Sequence, residues 1–346
     1  MNLIYKPFLL QLKHPFGVSS NTRTHTQSVF TRIEHGGFYG YGEACLPAYL
    51  GESLDETIVF LEKAKKIIGE YLSPFETEEI RNRIDLLSVG NNAAKASVDI
   101  GLNDLRGKIS GKPFYKLMGF DKSVPLATSY TIGIDDEKMI AKKIEEAKDF
   151  SVLKIKAGSG DDKTLINLIR TLTDKPLYVD VNQGWKDKYY VVEMMHWLKE
   201  KGVLLVEQPM PITMIDEMAW VTERSPIPTI ADESLKRLKG INSVKGIFSG
   251  INIKLMKCTG LTEAVEMIKY AKLNNLKIML GCMAESSCAT SAMAQLMQFA
   301  DYVDLDAPNL INNDPFTGVT YKNGKIILND EPGIGVRLNK ELLSFD

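Results

Sequence analysis

A closed (β/α)7β barrel preceded by an α+β unit is the fold that this sequence of 346 residues predicts. The first observation is a change of pattern at Val124: short β-branched runs separated by amphipathic helical stretches recur about every 25 residues, as expected of βα units in a parallel sheet. The second is their number. The eight runs are Leu126 to Ile132, Val152 to Ala157, Leu177 to Asn182, Leu204 to Gln208, Thr229 to Asp232, Ile251 to Leu255, Ile278 to Gly281 and Tyr302 to Asp306. Eight parallel strands at this spacing close most economically into a barrel. The third is that no eighth helix follows Pro308; Val319 to Leu328 reads instead as a hairpin around Asn323-Gly324.

The first third reads differently. Residues 2 to 13 and 26 to 41 look like strands, the second alternating Val29, Thr31 and Ile33 before Gly36-Gly37, with a polar loop from Ser19 to Thr24 between them. Ser53-Leu54-Asp55-Glu56 is a capping box before an apolar stripe of Ile58, Leu61, Ala64, Ile68 and Leu72. A further helix is expected from about Ala93 to Ile109, with Val98, Leu102 and Leu105 on one face and a stop at Gly111 before Pro113. The domain division expected is 1–120 plus 312–346 as an α+β unit, the tail packing back on it, and 121–311 as the barrel.

Composition narrows the partners. With 44% hydrophobic and 25% charged residues and a formal net charge of −2, the chain carries no electrostatic footprint for nucleic acid or an anionic membrane. A small molecule is the expected partner. Cys45, Cys258, Cys282 and Cys288 form no C-x-x-C pair, and neither a secretory leader nor a run of ~20 apolar residues is visible, so a reduced, cytoplasmic setting is expected. Oligomeric state is not legible, and a homo-oligomer is compatible with the sequence.

Function is read from the strand ends. Active sites of such barrels lie at the C-terminal ends of the strands. There the sequence places Lys154 and Lys156 on the second strand, Asp180 on the third, Glu207 on the fourth, Asp232 on the fifth, Lys254 on the sixth, and Asp304 and Asp306 on the eighth. Alternation along a strand puts residues two apart on one face, so Lys154 and Lys156 converge. Asp180, Glu207 and Asp232 would balance a divalent cation and leave positions open, which suits one Mg²⁺. As three helix N-caps they would be less easily explained, being flanked by lysines.

Beside such an ion, lysines make sense if the substrate is a carboxylate. Removing the proton next to the carboxylate creates an enediolate, which a cation and an ammonium group stabilise. Nearby positive charge is expected to lower a lysine's pKa so that its amine acts as a base. The second and sixth strands face each other across a barrel, so Lys156 and Lys254 would meet the reacting carbon from opposite sides. That arrangement predicts inversion of a stereocentre, with Lys154 as the fixed cation; a one-base elimination is the other reaction the same groups allow. The four histidines, His14, His25, His35 and His196, all precede the fifth strand, which rules out a histidine base on the later strands.

The ordered set Lys154-x-Lys156, Asp180-Val181-Asn182-Gln183-Gly184-Trp185, Glu207-Gln208-Pro209, Ala231-Asp232-Glu233-Ser234 and Asn252-Ile253-Lys254 resembles the muconate-lactonising subgroup of the enolase superfamily. The resemblance implies a lysine or histidine base working with Mg²⁺. The resemblance covers nearly the whole chain and implies a modified TIM barrel with a capping domain. Asp304-Leu305-Asp306 is similar to the Asp-x-Asp of the dipeptide epimerases, chiefly those acting on L-Ala-D/L-Glu, where it holds the substrate's α-ammonium group. It further implies that Thr131 and Ser286 shape the pocket and that Arg23, in the loop from Asn21 to Thr26, could pair with a glutamate carboxylate. The expected enzyme is thus an isomerase, with a Glu-containing dipeptide of cell-wall origin as substrate. Two alternatives stand beside it: an o-succinylbenzoate synthase or muconate cycloisomerase, whose substrates carry no ammonium group for Asp304 and Asp306, and a catalytically silent metal-binding scaffold.

Overall fold

The computed structural model describes residues 1–18 and 21–345. Three antiparallel strands open the chain, β1 (Asn2–Val18), β2 (Asn21–His35) and β3 (Phe38–Leu46), in that spatial order. The expected strand 26–41 divides at Gly36 and Gly37, whose φ values of 58° and 81° make the tight turn that glycine allows. The expected loop is also shorter. Pairing continues to Phe16↔Arg23 and Gly17↔Thr22, so Arg23 is a strand residue; Ser19 and Ser20 lie outside the described residues.

Behind the sheet lie α1 (Leu54–Glu70), α2 (Thr77–Asp85) and α3 (Asn92–Ile109). The Glu56 N–H donates to Ser53 Oγ at 3.2 Å and the Ser53 N–H to Glu56 Oε2 at 3.1 Å, which closes the capping box. Leu61, Ala64 and Ile68 are buried, whereas Leu72 falls beyond the helix and is exposed. α3 crosses β3 so closely that a Cβ on Gly40 or Gly42 would overlap the carbonyl oxygens of Gly101 or Ser97. Because both neighbours are backbone, little can give way. Gly42→Ala is therefore expected to lower stability by about 1–3 kcal/mol, measured as a drop in the urea unfolding midpoint with an unchanged slope.

The barrel strands are β4 (Ser129–Ile132), β5 (Val152–Lys156), β6 (Leu177–Asp180), β7 (Val203–Glu207), β8 (Thr229–Ala231), β9 (Gly250–Ile253), β10 (Lys277–Gly281) and β11 (Tyr302–Asp304). They are parallel and neighbour one another in sequence order. Polar side chains join the two ends: Ser129 Oγ donates to Asp304 Oδ1 at 2.6 Å, and the Leu305 N–H donates to Thr128 Oγ1 at 2.8 Å.

Helices α4 (Glu137–Glu146), α5 (Asp162–Leu172), α6 (Lys188–Glu200), α7 (Ile215–Arg224), α8 (Leu261–Leu273) and α9 (Ser287–Ala294) cover the strands. After β8 the connection holds a 3₁₀ helix, Leu238–Ser243, in place of an α-helix. Gly240, Asn242 and Ser243 are poor helix formers, which accounts for the difference. After β11 a single turn, Ala307–Leu310, stands where an eighth helix would be. The tail touches both units. Its Asn323-Gly324 hairpin pairs with Leu126–Ala127 below the barrel, while the Ile334 N–H donates to Asp104 on α3 at 2.8 Å and Phe345 packs on Tyr41.

Candidate active site

Register along the sheet sets the site's layout. Lys156 pairs with Asp180, and Asp180 with Glu207, so the ends of β5, β6 and β7 are level. The chain turns sharply just past two of them. Asn182, Gln183 and Gln208 have φ values of 45°, 69° and 37°, in the left-handed region where non-glycine residues are strained. For Gln208 the strain has a use: its Oε1 accepts the N–H groups of Asp232 and Ser234, both at 3.0 Å, and fixes the start of the loop after β8.

A cavity of about 340 Å³ opens at this end, between the barrel and the first sheet. Lys154, Lys156, Asp232, Lys254, Asp304, Asp306, Thr131 and Arg23 all line it. Asp180 and Glu207 are fully buried behind these lysines and in contact with them. Ser286 is the sequence-expected residue that the structure does not bring to the cavity. Its hydroxyl donates to Glu43 on β3 at 2.6 Å and accepts the Cys288 N–H, so it caps α9; Cys282, Met283 and Ala284 from the same loop line the cavity instead. Among the described residues no histidine lines it.

The lysines are held by carboxylates. Lys154 Nζ lies 2.7 Å from Glu207 Oε2, 2.7 Å from Asp304 Oδ2 and 3.1 Å from Asp180 Oδ2. Lys156 Nζ lies 2.6 Å from Asp180 Oδ2 and donates to Asn182 Oδ1 at 3.3 Å. Lys254 Nζ lies 2.7 Å from Asp232 Oδ2. In an eight-stranded ring β5 and β9 have three strands between them on either side, so Lys156 and Lys254 stand opposite each other.

Against the expected lowering, these contacts raise the pKa values of the Lys154 and Lys254 ammonium groups, while burial lowers that of Lys257. Burial acts to lower Lys154, but Asp304, Glu207 and Asp180 outweigh it and hold the ammonium well above its usual range. Lys254 is likewise raised, burial being overcome chiefly by Asp232. The sequence assigns Asp180, Glu207 and Asp232 to a metal and Asp304 to an ammonium group of the substrate, and their service as counter-charges to the lysines emerges only from the packing. Among the acids, burial and the neighbouring Asp180 push Glu207 up, and burial and Asp304 push Asp306 up. These acids are crowded, and positive charge would relieve them.

Among the described residues no three acidic, histidine or cysteine side chains converge closely enough to grip a metal as they stand, because ammonium groups lie between the carboxylates. The donor set nevertheless suits a hard divalent cation. Asp180, Glu207 and Asp232 offer oxygen alone, come from neighbouring strand ends, and are buried carboxylates crowded enough to raise Glu207.

Asp306 has one oxygen taken by the Thr131 N–H, at 2.6 Å, and its other oxygen lies only in loose contact with Cys282. Lys257 and Tyr49 go unremarked in the sequence, and Asn182, Asn252 and Glu233 stand in its motifs without a role; all but Asn252 line the cavity. Lys257 carried a signal, since three residues after Lys254 it falls on the same face if the chain turns helical there. It does so, over Leu255–Cys258.

Residues 138–342 match the family model "Enolase C-terminal domain-like", and residues 6–119 match that of the mandelate racemase / muconate lactonizing enzyme N-terminal domain. The chain belongs to this family within the enolase superfamily. It is 48% identical to an L-Ala-D/L-Glu epimerase of Bacteroides thetaiotaomicron, over 97% of this chain and 88% of that one. It is 33% identical to an L-Ala-D/L-amino acid epimerase of Pedosphaera parvula, over 98% and 99%. Among solved structures, a dipeptide epimerase of Enterococcus faecalis complexed with Mg and L-Leu-L-Tyr superposes with a TM-score of 0.91 at 31% identity, covering 97% and 98% of the two chains. The barrel with its capping domain is the fold of this family.

Proposed function

We propose that this protein is a Mg²⁺-dependent dipeptide epimerase that inverts the α-carbon of the C-terminal residue, with L-Ala-D/L-Glu as the substrate pair. The observation that carries the reading is the pair of lysines on opposed strands, Lys156 and Lys254, facing one cavity that also holds Asp304 and Asp306. The kinship with epimerases of this class supports it.

Asp180, Glu207 and Asp232 would hold the Mg²⁺, which when bound would supply positive charge for the substrate carboxylate. Lys156 and Lys254 act as the two bases: one amine removes the α-proton and the opposite ammonium returns a proton to the other face. Lys154, already ringed by carboxylates, stays charged and faces the enediolate's developing charge. Asp306 and Asp304 receive the α-ammonium group, Asp306 through its freer oxygen, and Thr131 orients Asp306 through its N–H. Arg23, stacked on Phe16 at the cavity wall, reads the glutamate side chain. The need to bind an ammonium group sets this reading above a succinylbenzoate or muconate substrate. In domain terms 121–311 forms the catalytic barrel, and 1–120 with 312–346 the cap, which supplies Phe16, Arg23 and Tyr49 to the site. The protein works in the cytoplasm, where peptides released from the cell wall are recycled.

The test is incubation with Mg²⁺ and L-Ala-L-Glu in D₂O, following the glutamate α-proton by NMR. Loss of that signal with appearance of the L-Ala-D-Glu isomer is expected. No exchange with this or any of several other dipeptides would sink the epimerase reading.

A further inference from the structure

Asn252 and Lys257 have no part in the proton transfer above, yet both are committed to its carboxylates. Lys257 is 1% exposed. Its Nζ lies 2.5 Å from Asp232 Oδ1 and donates to the carbonyl oxygens of Asp232 at 2.8 Å and Asn252 at 3.0 Å, which uses all three of its protons. Asp232 Oδ2 is left to face Lys254 and the cavity. Asn252 treats Glu207 in the same way: its Nδ2 donates to Oε1 at 2.8 Å, while Oε2 points to Lys154. The Asn252 amide is itself fixed, because it packs against Gly281 where any Cβ would overlap it.

We propose that the segment Asn252–Lys257, which supplies no carboxylate, is a clamp that positions two of the metal-holding ones. Lys257 commits one oxygen of Asp232 to the protein and Asn252 one oxygen of Glu207, so that each acid presents a single, oriented oxygen to the ion. This rests on the reading that Asp180, Glu207 and Asp232 hold Mg²⁺. Lys257 has a second possible role, as a mere counter-charge to a buried acid, and the two roles differ in sign. A counter-charge repels an incoming cation, so its removal tightens Mg²⁺ binding; removal of a clamp loosens it.

Isothermal titration of the full-length protein with Mg²⁺, without substrate, decides between them. Lys257→Met is expected to bind Mg²⁺ about 10–100-fold more weakly than the wild type, the usual loss when an outer partner of a metal ligand is removed. Equal or tighter binding in a folded variant, checked by near-ultraviolet circular dichroism, would overturn the clamp. If Lys257→Met does not fold, Asn252→Ala decides, because it removes a hydrogen bond to Glu207 and no charge. A loss of about 10-fold is expected there, and unchanged affinity overturns the proposal. Failure of the wild type to bind Mg²⁺ at millimolar concentration is a different result: it overturns the metal reading itself, and the clamp with it.

Discussion

Lys156→Ala and Lys254→Ala are each expected to slow epimerisation of L-Ala-L-Glu by about 10²–10⁴-fold, the contribution of a well-placed general base or acid. The reason is topological. β5 and β9 lie opposite each other in the ring, so each amine reaches one side of a carbon held between them, and neither can take over from the other. Both side chains now rest on carboxylates, Lys156 on Asp180 and Lys254 on Asp232, and those acids keep a second ammonium partner, Lys154 and Lys257 respectively, when the first is removed. Each variant should therefore fold, and chiral chromatography of the dipeptide product measures the loss of rate separately from any loss of protein.

Asp232→Ala is expected to abolish Mg²⁺ binding and to lower turnover by about 10³-fold or more, since charge stabilisation by a metal ion is worth several kcal/mol and each 1.4 kcal/mol is about tenfold in rate. It should also destabilise the protein. Lys254 and Lys257 are both buried against this one carboxylate, at 2.7 Å and 2.5 Å, and removing it leaves two ammonium groups with fewer counter-charges. Breaking a buried pair from one side costs about 3–5 kcal/mol. The thermal midpoint measured in EDTA reads this second effect independently of metal loading. For the wild type, chelation should stop turnover reversibly, and added Mg²⁺ should restore it.

Much of this site was legible because barrel geometry turns sequence position into spatial position. Once eight strands are recognised, polar residues at their C-terminal ends must share one mouth, and Lys154, Lys156, Asp232, Lys254, Asp304 and Asp306 do share it. What periodicity could not show is which partner a polar group takes. Ser286, expected in the pocket, is drawn away by Glu43, a buried acid from β3 more than two hundred residues earlier in the chain. No local pattern announces such a contact. Arg23 was placed in a loop because Ser19 to Thr24 is polar, whereas pairing with Phe16 extends the hairpin through it. Lys257 sits in a helical turn just after Lys254, and only the packing of Asp232 and Asn252 around it shows that it is buried. The 3₁₀ segment after β8 follows from Gly240 and its polar neighbours, a local weakness that the regular βα spacing masked.

Face-resolved exchange is the most direct measurement of the two-base assignment. Each lysine variant, loaded with Mg²⁺, is given L-Ala-L-Glu and L-Ala-D-Glu separately in D₂O, and the glutamate α-proton is followed by NMR. Opposed bases predict that each variant exchanges one isomer and leaves the other untouched, and that the two variants choose opposite isomers. Exchange of both isomers by one variant, or of the same isomer by both, would contradict the assignment of Lys156 and Lys254 to opposite faces of the carbon.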